Sequence, residues 1–378
     1  MDLCTEANEL AHSIIFKIIL AATIIISTTA IFTEVWIMLK TTNRVLIHRN
    51  TRILIIVHQL LLILHCIARI FTHTYVLVAY QKTHIDQCGY MMIPWECFIL
   101  RTPITLTLLL NGSSIPAIVM ERTIATCFSS RYEKFGKSIA IILIVAQFAI
   151  GIGNFLFLVS DFKLFDSKKV VYCSTANDRN SSKSAVVFGF FMTIDFISAL
   201  IFPVLFFINK KFHRNKIHAS LSHRYQIMEN ISSIQILSPM IAFHSVLLAS
   251  YMGALFLRFA VGFNFSYKQF AIYLESVQQT PIYALTLPFT ILWIEKYVRK
   301  ASQENLKKIM ELTGTEAADH YFQMQLLLFY LVIVTSLVDL NVVKVLSSLR
   351  GFLLRKWGFL WLIIVMSHRF DLCSNLGY

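Results

Sequence analysis

The chain has 378 residues, of which 56% are hydrophobic, 13% aromatic and only 15% charged. That is too apolar for an ordinary soluble domain, in which about a quarter of residues are charged. The formal charge of +13 sits in short basic clusters between long apolar runs, which is the orientation signal of a membrane protein and excludes a nucleic-acid partner.

Taken in chain order, the apolar runs predict seven helical crossings: residues 13–39, 53–71, 97–126, 139–159, 184–208, 230–257 and 269–293. Each holds the roughly 20 residues that a helix needs to cross a hydrocarbon layer, with the longer ones tilted or extended. Strands are excluded, because the runs lack period-two alternation and an open sheet edge in lipid leaves backbone groups unpaired. The expected fold is an all-α seven-helix bundle in a lipid bilayer. The first run is longer than a signal-peptide core and lacks a basic leader, so it reads as a retained signal-anchor helix. Ahead of it, residues 1–12 carry Asp2, Glu6 and Glu9 but no Lys or Arg.

Charge placement sets the expected orientation. With residues 1–12 outside, the inner segments hold seventeen Lys and Arg (counting to residue 325) against eight in the outer ones. The bias predicts an outer N-terminus and a cytosolic C-terminal tail. The sequons at Asn180 and Asn264 then fall in outer loops and are the glycosylation candidates. Those at Asn111 and Asn230 lie within or at the mouth of a span and are not expected to be used.

In the third span, Cys97 and Arg122 stand 25 residues apart, about 37 Å of helix, which matches a bilayer with its interfaces. A cysteine at the outer end and an acid-arginine pair, Glu121-Arg122, at the inner end mark the third helix of many seven-helix receptors. Cys173, alone in the long outer loop 160–183, is the expected disulfide partner of Cys97. Cys88 is the alternative partner, and Cys4 with Cys88 would close a second bridge. Arg122 at the inner mouth needs a counter-charge, and Glu121 supplies one locally. Glu229, at the start of the sixth span, is the candidate across the bundle. An Arg122–Glu229 contact would lock the third helix to the sixth, the competing reading being a plain interfacial pair.

The run Met120-Glu-Arg-Thr-Ile-Ala-Thr126, followed by Arg131-Tyr-Glu133, resembles the third helix and second inner loop of nematode serpentine chemoreceptors. Residues 220–230 are similar to the entrance of their sixth helix. Leu312-Thr-Gly314 with Tyr321-Phe322 is similar to the tail of the class alpha (Sra) branch, and the sister class alpha/beta and class beta branches share parts of the pattern. The resemblance covers about residues 10–324. It implies a seven-helix receptor for a small environmental molecule, signalling through a heterotrimeric G protein from the plasma membrane of a chemosensory neuron. The last span departs from the rhodopsin-like pattern, since it carries Leu287-Pro-Phe-Thr-Ile-Leu-Trp293 and no Asn-Pro-x-x-Tyr.

Ionisable residues inside the membrane cost about 2.5–3.5 kcal/mol each and need a reason to be there. Arg69, Arg101, Asp195 and Glu275 are therefore the candidates for an outer-half ligand cavity. Tyr251, Tyr273, Gln278 and His244 are possible polar lining groups, for which core packing or an interhelical bond is the competing reading. Direct Arg101–Glu275 pairing is the structural alternative. No cofactor or metal is expected: His58 and His65 are seven residues apart, about 10.5 Å along a helix, too far for one ion. The absence of a histidine box, Gly-rich phosphate loop or Ser-His-Asp arrangement argues against an enzyme. A small-solute transporter or channel would also need Asp195 and Glu275, but the halves show no internal repeat. Residues 294–325 read as a cytosolic amphipathic tail whose Lys296, Arg299, Lys300, Lys307 and Lys308 suit an anionic leaflet. Residues 326–378 read as an atypical hydrophobic extension, with runs at 326–338 and 352–366 that are short for a span.

Overall fold

A computed structural model describes residues 2–41, 48–129, 132–160, 169–175, 180–215, 221–261 and 265–311. The chain divides into two compact units, Met1–Val298 and Arg299–Tyr378. The first unit holds the bundle described here. Of the second, only residues 299–311 are described, as helix, so the expectations for residues 312–378 lie outside the described residues.

The first unit opens with a short helix, α1 (Leu3–Ala11), followed by α2 (Ile14–Thr41) and α3 (Arg49–Ala79). The third crossing is α4 (Pro94–Gly112) plus α5 (Ser114–Cys127), and α6 (Ser138–Val159), α7 (Ser181–Asn215) and α8 (Leu221–Val261) follow. The last crossing is α9 (Tyr267–Ser276) and α10 (Thr280–Glu311). Among the described residues no strand forms, and one antiparallel bridge joins Met92 to Val170.

Six of these elements are long and apolar enough to cross a membrane, with α4 and α5 counted as one. The expected single helix over 269–293 is instead two, broken at residues 277–279. Glu275, Gln278 and Gln279 make this crossing more polar than the others. The break leaves Gln278 buried and lets Gln279 Oε1 accept from Ser250 Oγ of α8 at 3.0 Å.

Burial separates the lipid-facing helices from the central one. Only 22% of the α2 and α6 windows is buried, against 78% for α4–α5, so the third crossing is the axis of the bundle. Ile14, Ile18, Ile25 and Phe32 of α2 point outward, as lipid requires. Its threonines back-bond within the helix, Thr23 to Ile19 O and Thr28 to Ile24 O, each at 2.8 Å. That satisfies hydroxyls which lipid cannot. Gly151 lets α6 come close to α4, because a Cβ there would stand 2.5 Å from Leu110 Cδ2.

The α4–α5 junction is a polar knot. Ser113 Oγ donates to Leu110 O at 2.9 Å, and Gln147 Nε2 of α6 donates to Leu110 O at 3.1 Å and to Ser114 Oγ at 2.7 Å. About two and a half turns into α4, Pro103 removes a backbone donor, and Thr107 Oγ1 donates to the Pro103 carbonyl at 2.6 Å.

One end of the bundle is covalently closed. Cys97 at the start of α4 is bonded to Cys173, and Cys4 of α1 to Cys88 in the turn Gln87–Tyr90. The acidic N-terminal segment therefore folds as α1 over this end. Glu6 Oε2 accepts from Tyr267 N at 2.8 Å, and Lys268 pairs with Glu9 at 3.1 Å. The Cys97–Cys173 bridge spans 76 residues, and chain entropy alone sets an upper bound of about 4–5 kcal/mol on its contribution. Cys97→Ser in nanodiscs is expected to lower the unfolding midpoint by several degrees and to make Cys173 reactive to maleimide. An unchanged midpoint would show that the bridge adds no stability.

Candidate functional site

Two charged clusters lie at opposite ends of the bundle, with a polar band between them. At the disulfide-closed end, Glu275 of α9 receives two guanidinium groups. Arg101 Nη2 of α4 lies 2.8 Å from Oε1, and Arg69 Nη2 of α3 lies 2.9 Å from Oε2. His73 Nε2 is 3.4 Å from the same carboxylate. Tyr172, beside Cys173, donates its hydroxyl to Glu275 Oε1 and also meets Arg101 Nη2, whose guanidinium lies 4.8 Å from the ring centroid. Burial holds the Tyr172 phenol well above its usual ionisation range, so it acts as a neutral donor. Arg69 contributes charge rather than an aligned hydrogen bond: its Nε, Nη1 and Nη2 have no hydrogen-bond partner among the described residues.

The opposite cluster is built on α5. Arg122 Nε and Nη2 donate to Glu121, and Nη1 donates to Asn230 Oδ1 of α8 at 3.0 Å. Glu121 also accepts from Thr51 Oγ1 of α3 at 3.0 Å and from the Tyr132 hydroxyl. Tyr132 in turn accepts from Asn50 Nδ2 at 3.1 Å. Burial, reinforced by the Glu121 carboxylate, raises the Tyr132 phenol above its usual range and keeps it neutral. Asn209 Nδ2 of α7 donates to Thr126 Oγ1 at 2.8 Å, so α3, α5, α7 and α8 all meet here.

The polar band joins the middle of the helices. Asp195 of α7 lies 3.4 Å from His244 Nδ1 of α8, and His58 Nε2 of α3 lies 2.9 Å from the Tyr283 hydroxyl of α10. His65 bonds Thr107 at 2.9 Å, and Gln59 donates to Glu34 of α2 at 3.0 Å. A cavity of about 20 Å³ lies against Asn111, His244, Tyr251 and Tyr283, which is room for about one water. Among the described residues no group of His, Cys, Asp or Glu is arranged to hold a metal.

This geometry sorts the residues singled out from sequence. Arg69, Arg101 and Glu275 come together, with Tyr251 on the neighbouring cavity wall. Asp195 is not with them and pairs with His244 lower in the bundle. Tyr273 is half-buried and donates to Ala254 O at 2.8 Å, so it serves the α8–α9 contact. The contact of Arg122 with the sixth span is made through Asn230, one residue from Glu229, because the neutral amide faces the guanidinium. Asn180 is buried, and its Nδ2 donates to Thr175 O at 2.7 Å and to Leu158 O at 3.2 Å. The nitrogen that a glycan would use is thus engaged inside the protein, against the glycosylation expectation. Asn264 lies outside the described residues. Tyr172, His73 and Glu34 escaped the sequence reading, and Tyr132 entered it only within the Arg131-Tyr-Glu133 resemblance; a lone Tyr in a loop carries no periodic signal. Glu34 alone, an acid within an apolar run, was detectable.

The sequence model of the serpentine type seven-transmembrane receptor class ab chemoreceptors matches residues 1–326. The chain belongs to that family. Serpentine receptor class alpha/beta-14 of Caenorhabditis elegans is 28% identical over 304 residues, covering 75% of this chain and 74% of that one. Serpentine receptor class beta-16 of the same worm is 23% identical, covering 86% of this chain and 95% of its own length. Class alpha-39 is 22% identical and covers 62% of each chain. The branch matched by the family model is thus alpha/beta, the sister of class alpha. The chain is a multi-pass plasma-membrane protein of the chemoreceptor type.

In this class ab receptor, deleting the buried acid should hurt more than deleting one of its two bases. Glu275→Leu leaves two guanidinium groups without a counter-charge and is expected to cost about 3–5 kcal/mol. Arg69→Met leaves a neutral Arg101–Glu275 pair and should cost less or stabilise. Unfolding midpoints of both variants in nanodiscs check the order, and equal losses would contradict it.

Proposed function

We propose that the receptor sits with its disulfide-closed end outside the cell, takes a small environmental molecule at that end, and activates a heterotrimeric G protein at the other. The supporting observation is the fully buried Arg122, held to Glu121 and bridged to Asn230 of α8. In the resting arrangement Arg122 is closed off from any partner. Separation of α8 and α7 from α5 uncovers it and opens a cleft between the helix ends. Ligand acts by population shift, since it needs only to bind the open arrangement better than the closed one. The basic segments flanking this end, including Lys210, Lys211 and Arg214, suit the anionic inner leaflet and favour this orientation.

The test is nucleotide exchange on a panel of purified Gα subunits with the receptor in nanodiscs. Arg122→Ala is expected to abolish exchange. Asn230→Leu removes the acceptor from a charged donor, a bond of about 1.5–3 kcal/mol, and should raise basal exchange about tenfold or more. If Asn230→Leu leaves basal exchange at the wild-type level, the α5–α8 lock is wrong. Solute uptake into proteoliposomes without any G protein would favour a transporter instead.

A further inference from the structure

We propose that the disulfide-end cluster binds a small monovalent organic anion, a carboxylate. The inference deepens the receptor reading above and relies on it for treating this cluster as a ligand site. Its basis is charge. Arg69, His65 and His73 face the cluster from α3, Arg101 from α4, Tyr251 from α8, Glu275 from α9, and Tyr80 and Tyr172 from the connecting segments. One carboxylate thus stands against two guanidinium groups, and no second acid belongs to the cluster among the described residues.

The excess positive charge is buried and has donors to spare. Arg69 is fully buried and Arg101 only 4% exposed, and Arg69 Nε and Nη1 and Arg101 Nε lack hydrogen-bond partners among the described residues. Two guanidinium groups that share one carboxylate and keep spare donors in a bundle interior attract a second anion, which binds there by charge-assisted hydrogen bonds. Glu275 already shows that the cluster accommodates a carboxylate between two guanidinium groups. A ligand carboxylate completes the neutral set of two bases and two acids. Tyr172 bonds the Glu275 carboxylate from a segment anchored through Cys173 to Cys97. Chloride shares the charge but not the planar pair of oxygens.

The experiment reads the unfolding midpoint of the full-length receptor in nanodiscs, without G protein, during titration with sodium propionate or sodium chloride against sodium isethionate, which carries no carboxylate, at constant ionic strength. Propionate is expected to raise the midpoint saturably by about 2–4 °C, with chloride weaker by tenfold or more. Arg69→Met should abolish the shift, while Tyr172→Phe, which keeps the charges, should retain it. No shift with propionate on folded receptor overturns the proposal. An equal shift in Arg69→Met overturns it too, as does its loss in Tyr172→Phe. Equal shifts with chloride and propionate would assign a halide site and overturn the organic class. Because this readout needs no G protein, failure of nucleotide exchange leaves it standing, and its own failure leaves the receptor reading intact.

Discussion

A charge buried among apolar helices must find its opposite, and this constraint arranges both ends of the bundle. An isolated ion in such a medium carries a desolvation cost of several kcal/mol even after relaxation. At the α5 end the requirement is met locally, because Glu121 and Arg122 are neighbours in sequence; Glu121 also accepts from Thr51 and Tyr132, and the remaining Arg122 donor reaches Asn230. At the disulfide-closed end it is met over long range. Glu275 must reach Arg69 and Arg101 from a different crossing, and the break at residues 277–279 gives α9 the freedom to turn that way. The bend in the last crossing and the buried ion cluster are therefore parts of one solution.

The neutral polar groups follow the same rule at lower cost. Threonines in α2 and α4 bond their own helix, while Gln147, Gln59, His58 and His65 bond a neighbouring one. These bonds are worth about a kcal/mol each, so they fix register more than they add stability. They also engage the histidines of α3. His58 and His65 share a face of α3, but one is taken by Tyr283 and the other by Thr107.

Much of this was legible in the sequence, and the failures have physical causes. The crossings were readable because lipid demands about twenty apolar residues in a row, which no soluble helix needs. The intramembrane charges Arg69, Arg101 and Glu275 stood out for the same reason, and they do meet. Which residues would face them was not readable. Tyr172 lies in a loop, whose path depends on the Cys97–Cys173 bridge and not on periodicity. Glu229 was singled out because a charge is the obvious partner of an arginine, and its charge does act on Arg122, while the hydrogen bond goes to the neighbouring Asn230. With Glu121 adjacent, Arg122 was already neutralised, and an amide acceptor was enough. The burial of Asn180 was not readable either, because a sequon records neither burial nor the hydrogen bonds of its amide.

One connection between the two clusters runs through the α4–α5 junction. Arg101 and Arg122 lie 21 residues apart on one crossing, about 31 Å. A rigid helix would carry any shift straight through, but Ser113 interrupts this one. Its hydroxyl has three carbonyl acceptors within reach, Leu110 O at 2.9 Å and Leu109 O and Gln147 O at 3.3 Å each. The junction can therefore change angle by exchanging one acceptor for another, without leaving a donor unpaired in the bundle. That property is what a two-state element requires, because both arrangements remain satisfied and a small difference in binding energy decides between them. The break between α9 and α10 has the same character, with Gln279 bonded to Ser250 across to α8. A ligand that alters the Arg69–Glu275–Arg101 geometry pulls on α4 and α9 together, above both hinges. The cluster at Arg122 lies below them, and its hydrogen bond to α8 is to a neutral amide, with the Glu229 charge nearby. The weakest link between the ends is therefore the one whose release the proposed mechanism needs.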